Sequence, residues 1–235
     1  MSEIMTFLSG LKANNTLDWM HDHRAEYRAA RGSFVALVQD IIGELAREEP
    51  ELGLLNPGDL ISRLNRDTRF SKDKSPYNPA FRAHISTGGK APIPVGYYLN
   101  VTPGGSFFGG GLFVPPGLTA MTGHVREYIA GHGGELEEIV TDPAFAAEYS
   151  LLGEKLRKIP RGYPQDFPQG ELLKMKSWYL ERPFPDEALE DRERFVALAA
   201  EKFRAMRPLH AYLNRALQGF RLPERGGIGR PARRG

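Results

Sequence analysis

Between residues 60 and 115 the chain is divided into short apolar segments, each bounded by glycine, proline or charged residues. Four of these segments are candidate strands, at 60–67, 81–87, 95–103 and 106–115. The spacing between them is too short for crossover helices, so neighbouring strands are expected to pair antiparallel. The pattern therefore predicts an antiparallel meander that carries its hydrophobic residues on one face. Partial alternation over 171–184 predicts a further strand at the sheet edge.

Helical periodicity dominates on both sides of this region. The spacing of apolar residues predicts a short helix that ends near residue 14, followed by a long one over 16–48 with a break at Gly32. A helix over 117–134 is expected to end at its glycines. A C-terminal helix is expected from residue 186, and Pro208 should kink it or start another.

Together these elements predict an α+β protein, with a central antiparallel sheet of four to six strands on which a long N-terminal helix and the C-terminal helices pack. With 235 residues, of which 41% are hydrophobic, the chain can build one core, and a single domain is expected over 1–218. The remaining segment, 219–235, is basic and has almost nothing to bury, so it is expected to be disordered.

Composition excludes several function classes. The sequence has no cysteine, so disulfides, thiolate metal sites and thiol nucleophiles are all excluded, and a reducing compartment, by default the cytoplasm, is expected. No apolar run approaches about 18 residues and no basic leader is present, so neither a membrane span nor a signal peptide is expected. The Gly-x-Ser-x-Gly and His-Glu-x-x-His motifs are also missing. No metal and no cofactor is expected.

Positive charge is concentrated in two places, although the net charge is only +2. Residues 63–90 contain seven Lys/Arg against two Asp, and residues 221–235 contain five Arg against one Glu. The rest of the chain therefore carries a net charge of −7. This separation favours a local basic site over a protein that coats nucleic acid with its whole surface.

The most charged stretch is RDTRFSKDKSPY at 66–77, which follows a predicted strand. Cations held this close together need carboxylates, a bound anion or water to offset their repulsion, and two aspartates can neutralise only two of them. One hypothesis is an anion-binding site, in which Asp67 and Asp73 orient the arginines and Tyr77 donates a hydrogen bond. The cations that would clamp the anion are Arg63, Arg66, Arg69, Lys72 and Lys74. The alternative is a structural network of ion pairs that pins the loop.

The same stretch also carries a resemblance. RLNRDTRFSKDKSPYNPAF, GYYLNVTPGGSFFGGGLFVP and LRKIPRGYPQDFPQGELLKMKSWYL resemble a bacterial and fungal family of conserved hypothetical proteins, a domain of unknown function. FLSGLKANNTLDWMHDHRAEY is similar to the opening of that family, and the resemblance covers roughly residues 5–217. It implies a cytosolic single-domain α+β protein and supplies no established catalytic residue. Whether the protein is an enzyme stays open.

Histidines offer two further candidates. His84 lies two residues from Arg82 on a predicted strand, so both should share a face, and His84 is a candidate acid or base there; a structural surface histidine is the alternative. His21 and His23 diverge on a helix and do not have the spacing of metal ligands.

Three functions remain open. The first is a binding protein or enzyme for a phosphorylated or otherwise acidic small molecule. The second is a noncatalytic module that binds nucleic acid or another protein through the basic loop and tail, and the third is a purely structural role for the charged loop as a latch. Ionic strength separates the first two, because contacts with several phosphates weaken steeply as salt rises. No membrane partner is expected, and the oligomeric state does not follow from the sequence.

Overall fold

The computed structural model describes residues 2–69 and 71–223. The predicted disordered tail lies outside the described residues from 224 onward. The strands are β1 (Phe81–Ile85), β2 (Tyr97–Val101), β3 (Phe107–Leu112) and β4 (Trp178–Pro183). The helices are α1 (Glu3–Ala13), α2 (Leu17–Asp22), α3 (Arg24–Leu45), α4 (Pro57–Leu60), α5 (Thr119–Thr141), α6 (Pro143–Glu148), α7 (Gly170–Leu173), α8 (Arg192–Ala205) and α9 (Arg207–Ala216). Short 3-10 turns lie at Pro50–Leu54 and Asp186–Leu189.

The four strands form one antiparallel sheet in the order β1-β2-β3-β4. The first three are the predicted meander, and β4 lies within the segment 171–184 that was expected at the sheet edge. The α+β class is therefore confirmed.

Helices from both ends of the chain cover one face of the sheet, here called the inner face. Phe81 of β1 stacks on Phe34 of α3 with ring centroids 5.3 Å apart, and Phe108 of β3 meets Phe203 of α8 at 5.5 Å. Large aromatic side chains buried in this way contribute much of the hydrophobic stabilisation of a core. Among the described helices, none is both long enough and apolar enough to cross a membrane.

The prediction of a strand over 60–67 is wrong. This segment makes only isolated bridges, Ile61 with Ala83 and Asn65 with Tyr77. Its buried side chains are Leu60, Ile61 and Leu64, which do not alternate as a strand on a sheet face requires. The segment runs along the outer edge of β1 and then turns away into the charged loop.

Two helix boundaries also differ from the prediction. The long N-terminal helix breaks at His23, where φ is −105° and ψ is 29°, and Gly32 lies inside α3. Likewise α5 continues past its glycines to Thr141, with a kink at His132. In both places tertiary packing outweighs the cost of about 1 kcal/mol that a glycine brings to a helix. Pro208 does begin a new helix, α9, as expected.

Candidate functional site

The charged loop, residues 63–77, lies between α4 and β1 along the chain, and Tyr77 at its end is hydrogen-bonded to Asn15, between α1 and α2. Arg66 is half-buried and forms an ion pair with Asp73, and its guanidinium also reaches Ser71 Oγ at 3.4 Å. Arg69 is exposed and donates to both carboxylate oxygens of Asp67, from Nε at 2.9 and 3.1 Å and from its terminal nitrogen at 2.6 Å. The two aspartates thus hold the two arginines, which is the contact expected of them in either hypothesis.

These contacts change the acidity of both carboxyls. The hydrogen bonds from Arg69 lower the pKa of Asp67 to about 2. The pKa of Asp73 is lowered as well, first by the hydroxyl of Ser75 and then by Arg66. Both aspartates are therefore ionised at neutral pH and act as ion-pair partners rather than as proton donors.

Three cations of the loop have no such partner. Arg63, Lys72 and Lys74 are exposed and have no carboxylate within ion-pairing distance among residues 2–69 and 71–223, although Lys74 Nζ donates to the carbonyl of Thr68 at 2.9 Å. Tyr77 is buried, and its backbone is fixed by two hydrogen bonds to the Asn15 side chain. The anion-binding role of these residues stays a prediction.

A second candidate lies on the outer face of the sheet, which is turned away from α3, α8 and α9. The register places His84, Tyr98, Gly109 and Glu181 in one row across the four strands. Gly109 has no side chain to fill the middle of this row, so a concavity opens above β3. Here it is called the open-face cavity; its volume is about 470 Å³.

Aromatic and polar groups line the open-face cavity together. Phe107 and Tyr179 stand on either side of Gly109, and the loop between β1 and β2 contributes Lys90 to the wall. This mixture of apolar surface with a few polar groups is typical of small-molecule sites.

The hydrogen bonding of His84 fixes its tautomer. Nδ1 lies 2.7 Å from the carbonyl oxygen of Gly89, and a carbonyl can only accept, so Nδ1 carries the proton. Burial lowers the pKa of His84, against the opposing effect of this hydrogen bond. The ring is therefore neutral at pH 7, and Nε2 keeps a free lone pair.

The pKa values of Tyr98 and Glu181, in the same row, are also shifted. Burial raises the pKa of Tyr98, while the adjacent Arg82 lowers it, and desolvation raises the pKa of Glu181. The Nε of Arg82 is buried and has no hydrogen-bond partner among the described residues, and one terminal nitrogen reaches the carbonyl of Arg63 at 3.5 Å. Several titratable groups with shifted pKa values thus converge on one face, as at many functional sites.

A third feature is a neighbouring cavity of about 530 Å³, here called the Arg126 cavity. It shares Phe113, Pro115 and Tyr179 with the open-face cavity, so the two cavities adjoin at these side chains. Phe113 is 62% exposed, and its ring meets Tyr179 edge-on with centroids 5.6 Å apart.

Arg126 is half-buried in the wall of this cavity. It projects from α5 and donates from Nε to the carbonyl of Leu173 at 2.8 Å and from a terminal nitrogen to that of Met175 at 2.9 Å. Both carbonyls are neutral, and within residues 2–69 and 71–223 no carboxylate pairs with Arg126. Burial lowers the pKa of Arg126, which indicates that its charge is poorly compensated.

Of the residues that line the two cavities, the sequence analysis singled out only His84, as a candidate acid or base. It missed Arg126 and Glu181, because they come from segments distant from His84 along the chain, and it counted Lys90 only as part of the basic region 63–90. The glycines of β3 were a usable signal, since glycine inside a strand marks a close approach or an open space. Within the described part of the chain, no three His, Cys, Asp or Glu side chains cluster as metal ligands would.

The fold and these cavities define an α+β protein in which helices cover one face of a four-stranded antiparallel sheet and a cavity lies on the other face. The chain belongs to the family of conserved hypothetical proteins DUF2461, whose family model matches residues 3–212. This confirms the family resemblance found in the sequence. No curated protein and no solved structure matches the chain.

Proposed function

We propose that the protein binds a small acidic molecule, a phosphate ester or a carboxylate, with its anionic group beside Arg126. The uncompensated charge of Arg126 in the wall of a cavity carries the proposal. Removing a cation from water is costly unless the cation is paired. An anion from outside therefore supplies Arg126 with the partner that the described residues do not. The cysteine-free composition supports a cytoplasmic location for this binding.

The other charges on this wall leave the positive excess in place. Lys176 also lines the Arg126 cavity, but it is exposed and its ammonium group lies 2.8 Å from Glu154 Oε2. That pair neutralises itself, so a net charge of +1 remains on the described wall. Arg126 still has one terminal nitrogen that bonds neither carbonyl, and a guanidinium edge suits phosphate or carboxylate oxygens.

The adjacent open-face cavity suggests the rest of the ligand. Its aromatic side chains favour a planar or apolar body, which can extend past Phe113 and Tyr179 while the acidic group stays at Arg126. The proposed ligand class is therefore an acid with an aromatic or otherwise unsaturated body.

Phenyl phosphate and benzoate are suitable probes of this proposal. Each should raise the thermal midpoint of the full chain in a concentration-dependent manner, because a ligand that binds only the native state stabilises it by mass action. In Arg126→Gln the effect should be lost, whereas Arg28→Ala, which removes an exposed arginine on α3, should respond like the wild type.

An Arg126→Gln protein that folds and is stabilised as strongly as the wild type would contradict the proposal. Arg126→Lys covers the case in which the glutamine variant does not fold. It keeps the positive charge but loses the fork of donors, so binding should weaken without disappearing.

A second candidate is the binding of a polyanion, such as nucleic acid, at the charged loop. The three cations without a carboxylate partner, Arg63, Lys72 and Lys74, favour it. Fluorescence anisotropy with a labelled single-stranded oligonucleotide tests it: affinity should fall steeply between about 50 and 200 mM salt, and more weakly in Lys72→Ala. If no binding is detected at low salt, the loop is only a structural latch.

A further inference from the structure

We infer that the open-face cavity is a catalytic site, in which Nε2 of His84 accepts a proton from a carbon or oxygen acid with a planar body. This inference rests on the proposed function in one respect: the natural substrate is the acidic ligand whose anionic group binds at Arg126. The cavity, the row of residues across the sheet and the tautomer of His84 carry the rest.

The geometry of His84 suits a general base. The bond from Nδ1–H to the Gly89 carbonyl holds the ring in one orientation and leaves Nε2 without a proton. A backbone carbonyl therefore does here what a carboxylate does in many catalytic histidine pairs, without adding a negative charge. His84 is half-buried in the cavity wall, so a bound substrate can come within hydrogen-bonding reach.

The groups that face His84 favour the neutral ring. On its own strand lies Arg82, directly opposite on β2 lies Tyr98, and Lys90 comes from the loop above. Beneath the sheet lies His210 of α9, which is fully buried and whose pKa is lowered to about 3. Arg82 and Lys90 are positive, and burial lowers the pKa of His84. The ring is therefore neutral and can accept a proton from a bound substrate.

Glu181 stands at the far side of the same row, three strands from His84. With about 4.8 Å between neighbouring strands, the two backbones are roughly 14 Å apart, which leaves room for one ring between the side chains. Desolvation raises the pKa of the Glu181 carboxyl, which favours its protonated form. A base and an acid on opposite sides of a ring suit reactions that remove a proton from one position and return it at another.

A neutral probe tests the base directly. 5-Nitrobenzisoxazole loses its C3 proton to a base while the C–H electrons form the nitrile and the N–O bond breaks to release a coloured phenolate. The wild-type protein should catalyse this elimination, with a kcat/KM that rises through a pKa below 6.5 and is level above it. His84→Asn, whose amide can still donate to Gly89, should lower kcat/KM by about 100-fold.

Two controls make the result decisive. His21→Ala removes an exposed histidine on α2 and should leave the rate unchanged. The second control is the thermal midpoint of the same wild-type preparation with phenyl phosphate, which tests the proposed function separately because the elimination probe carries no anionic group. Elimination without phosphate binding would therefore overturn the proposed function alone. A wild-type rate no higher than that of free imidazole at equal concentration, or a folded His84→Asn protein with the wild-type rate, overturns the catalytic inference alone.

Discussion

His210 is a fully buried histidine that titrates far from its ordinary range. The backbone N–H of Gly111 donates to its Nε2 at 2.9 Å, so the ring must be neutral and protonated on Nδ1. Burial, with a smaller effect from His84, lowers its pKa to about 3, whereas the unfolded chain has an ordinary pKa near 6.5. Between these values the unfolded state binds a proton that the native state does not.

The free energy of unfolding should therefore decrease as pH falls from about 6.5 towards 3, by at most about 1.4 kcal/mol per pH unit from this residue. Urea denaturation at a series of pH values measures the slope. His210→Gln supplies the control, because its side-chain oxygen can still accept from Gly111 but does not titrate. A variant slope as steep as that of the wild type would assign the pH dependence to other groups.

Two adjacent glycines of β3 should differ sharply in their tolerance of alanine. A Cβ on Gly110 would point to the inner face, 2.5 Å from both His210 Nε2 and Met206 Sδ, which no ordinary packing allows. A Cβ on Gly109 would point into the open-face cavity, with its nearest contacts at 3.2 Å to Phe107 and 3.3 Å to the Leu180 carbonyl.

Gly110→Ala should therefore lower the free energy of unfolding by roughly 1–3 kcal/mol or more through overpacking. Gly109→Ala should cost clearly less, and chemical denaturation of both variants compares them under the same conditions. If the two alanines were equally destabilising, the assignment of one glycine to each face would be wrong. The Gly109→Ala protein would also have a partly filled cavity, so it should bind aromatic acids more weakly.

The charged loop depends on Arg66 more than on Arg69. Arg66 is 28% exposed and bonds Asp73 and Ser71, and its backbone N–H donates to the Pro76 carbonyl. Arg69 is 77% exposed, and its ion pair with Asp67 joins residues only two positions apart. An exposed pair between residues two apart in sequence restricts the loop little.

Arg66→Ala should therefore speed hydrogen exchange at the backbone amides of the loop, including that of Ser75, which bonds the Asp73 carboxylate at 2.9 Å. Arg69→Ala should leave that exchange nearly unchanged. Mass spectrometry of deuterium uptake over 63–77 compares the two. Faster exchange in Arg69→Ala than in Arg66→Ala would reverse this order and would make Arg69 the residue that pins the loop.

The sheet shows which elements the sequence could predict and which it could not. In β4 the alternation is real: Trp178 and Leu180 face the core, while Tyr179 and Glu181 face outward. In 60–67 the apolar residues Leu60, Ile61 and Leu64 do not alternate, and within the described residues the segment makes only isolated bridges, with no continuous register. Periodicity reports which side chains are buried, whereas pairing depends on a neighbour that local sequence does not identify.

In the tertiary structure, the two cavities could not be predicted from local sequence either. The Arg126 cavity is built from residues 113–126, 154–156 and 176–179, which are far apart along the chain. Arg126 itself is one polar residue on an amphipathic helix and looks ordinary in sequence. That its guanidinium meets the carbonyls of Leu173 and Met175, and no carboxylate among the described residues, follows only from the way α5 packs.

A cluster of polar side chains connects α9, the segment that follows α3, and strand β2. Arg207, at the start of α9, donates from Nε to Glu49 at 2.8 Å and forms an ion pair with Glu48, just beyond α3. The hydroxyl of Tyr97 on β2 donates to the same Glu49 carboxylate at 2.6 Å. Arg207 and Glu49 are both about three-quarters buried, so loss of one partner leaves the other poorly solvated.

Arg207→Met should therefore lower the free energy of unfolding by roughly 1–3 kcal/mol, because it leaves the Glu49 carboxylate without its arginine partner. The matched control is Arg192→Met, which breaks a half-exposed pair with Asp40 and should cost no more than about 0.5 kcal/mol. Equal losses would show that burial of the Arg207 cluster does not matter. A double-mutant cycle with Tyr97→Phe should show coupling, because both side chains bind one carboxylate oxygen; strict additivity would mean that the sheet and α9 are joined by packing alone.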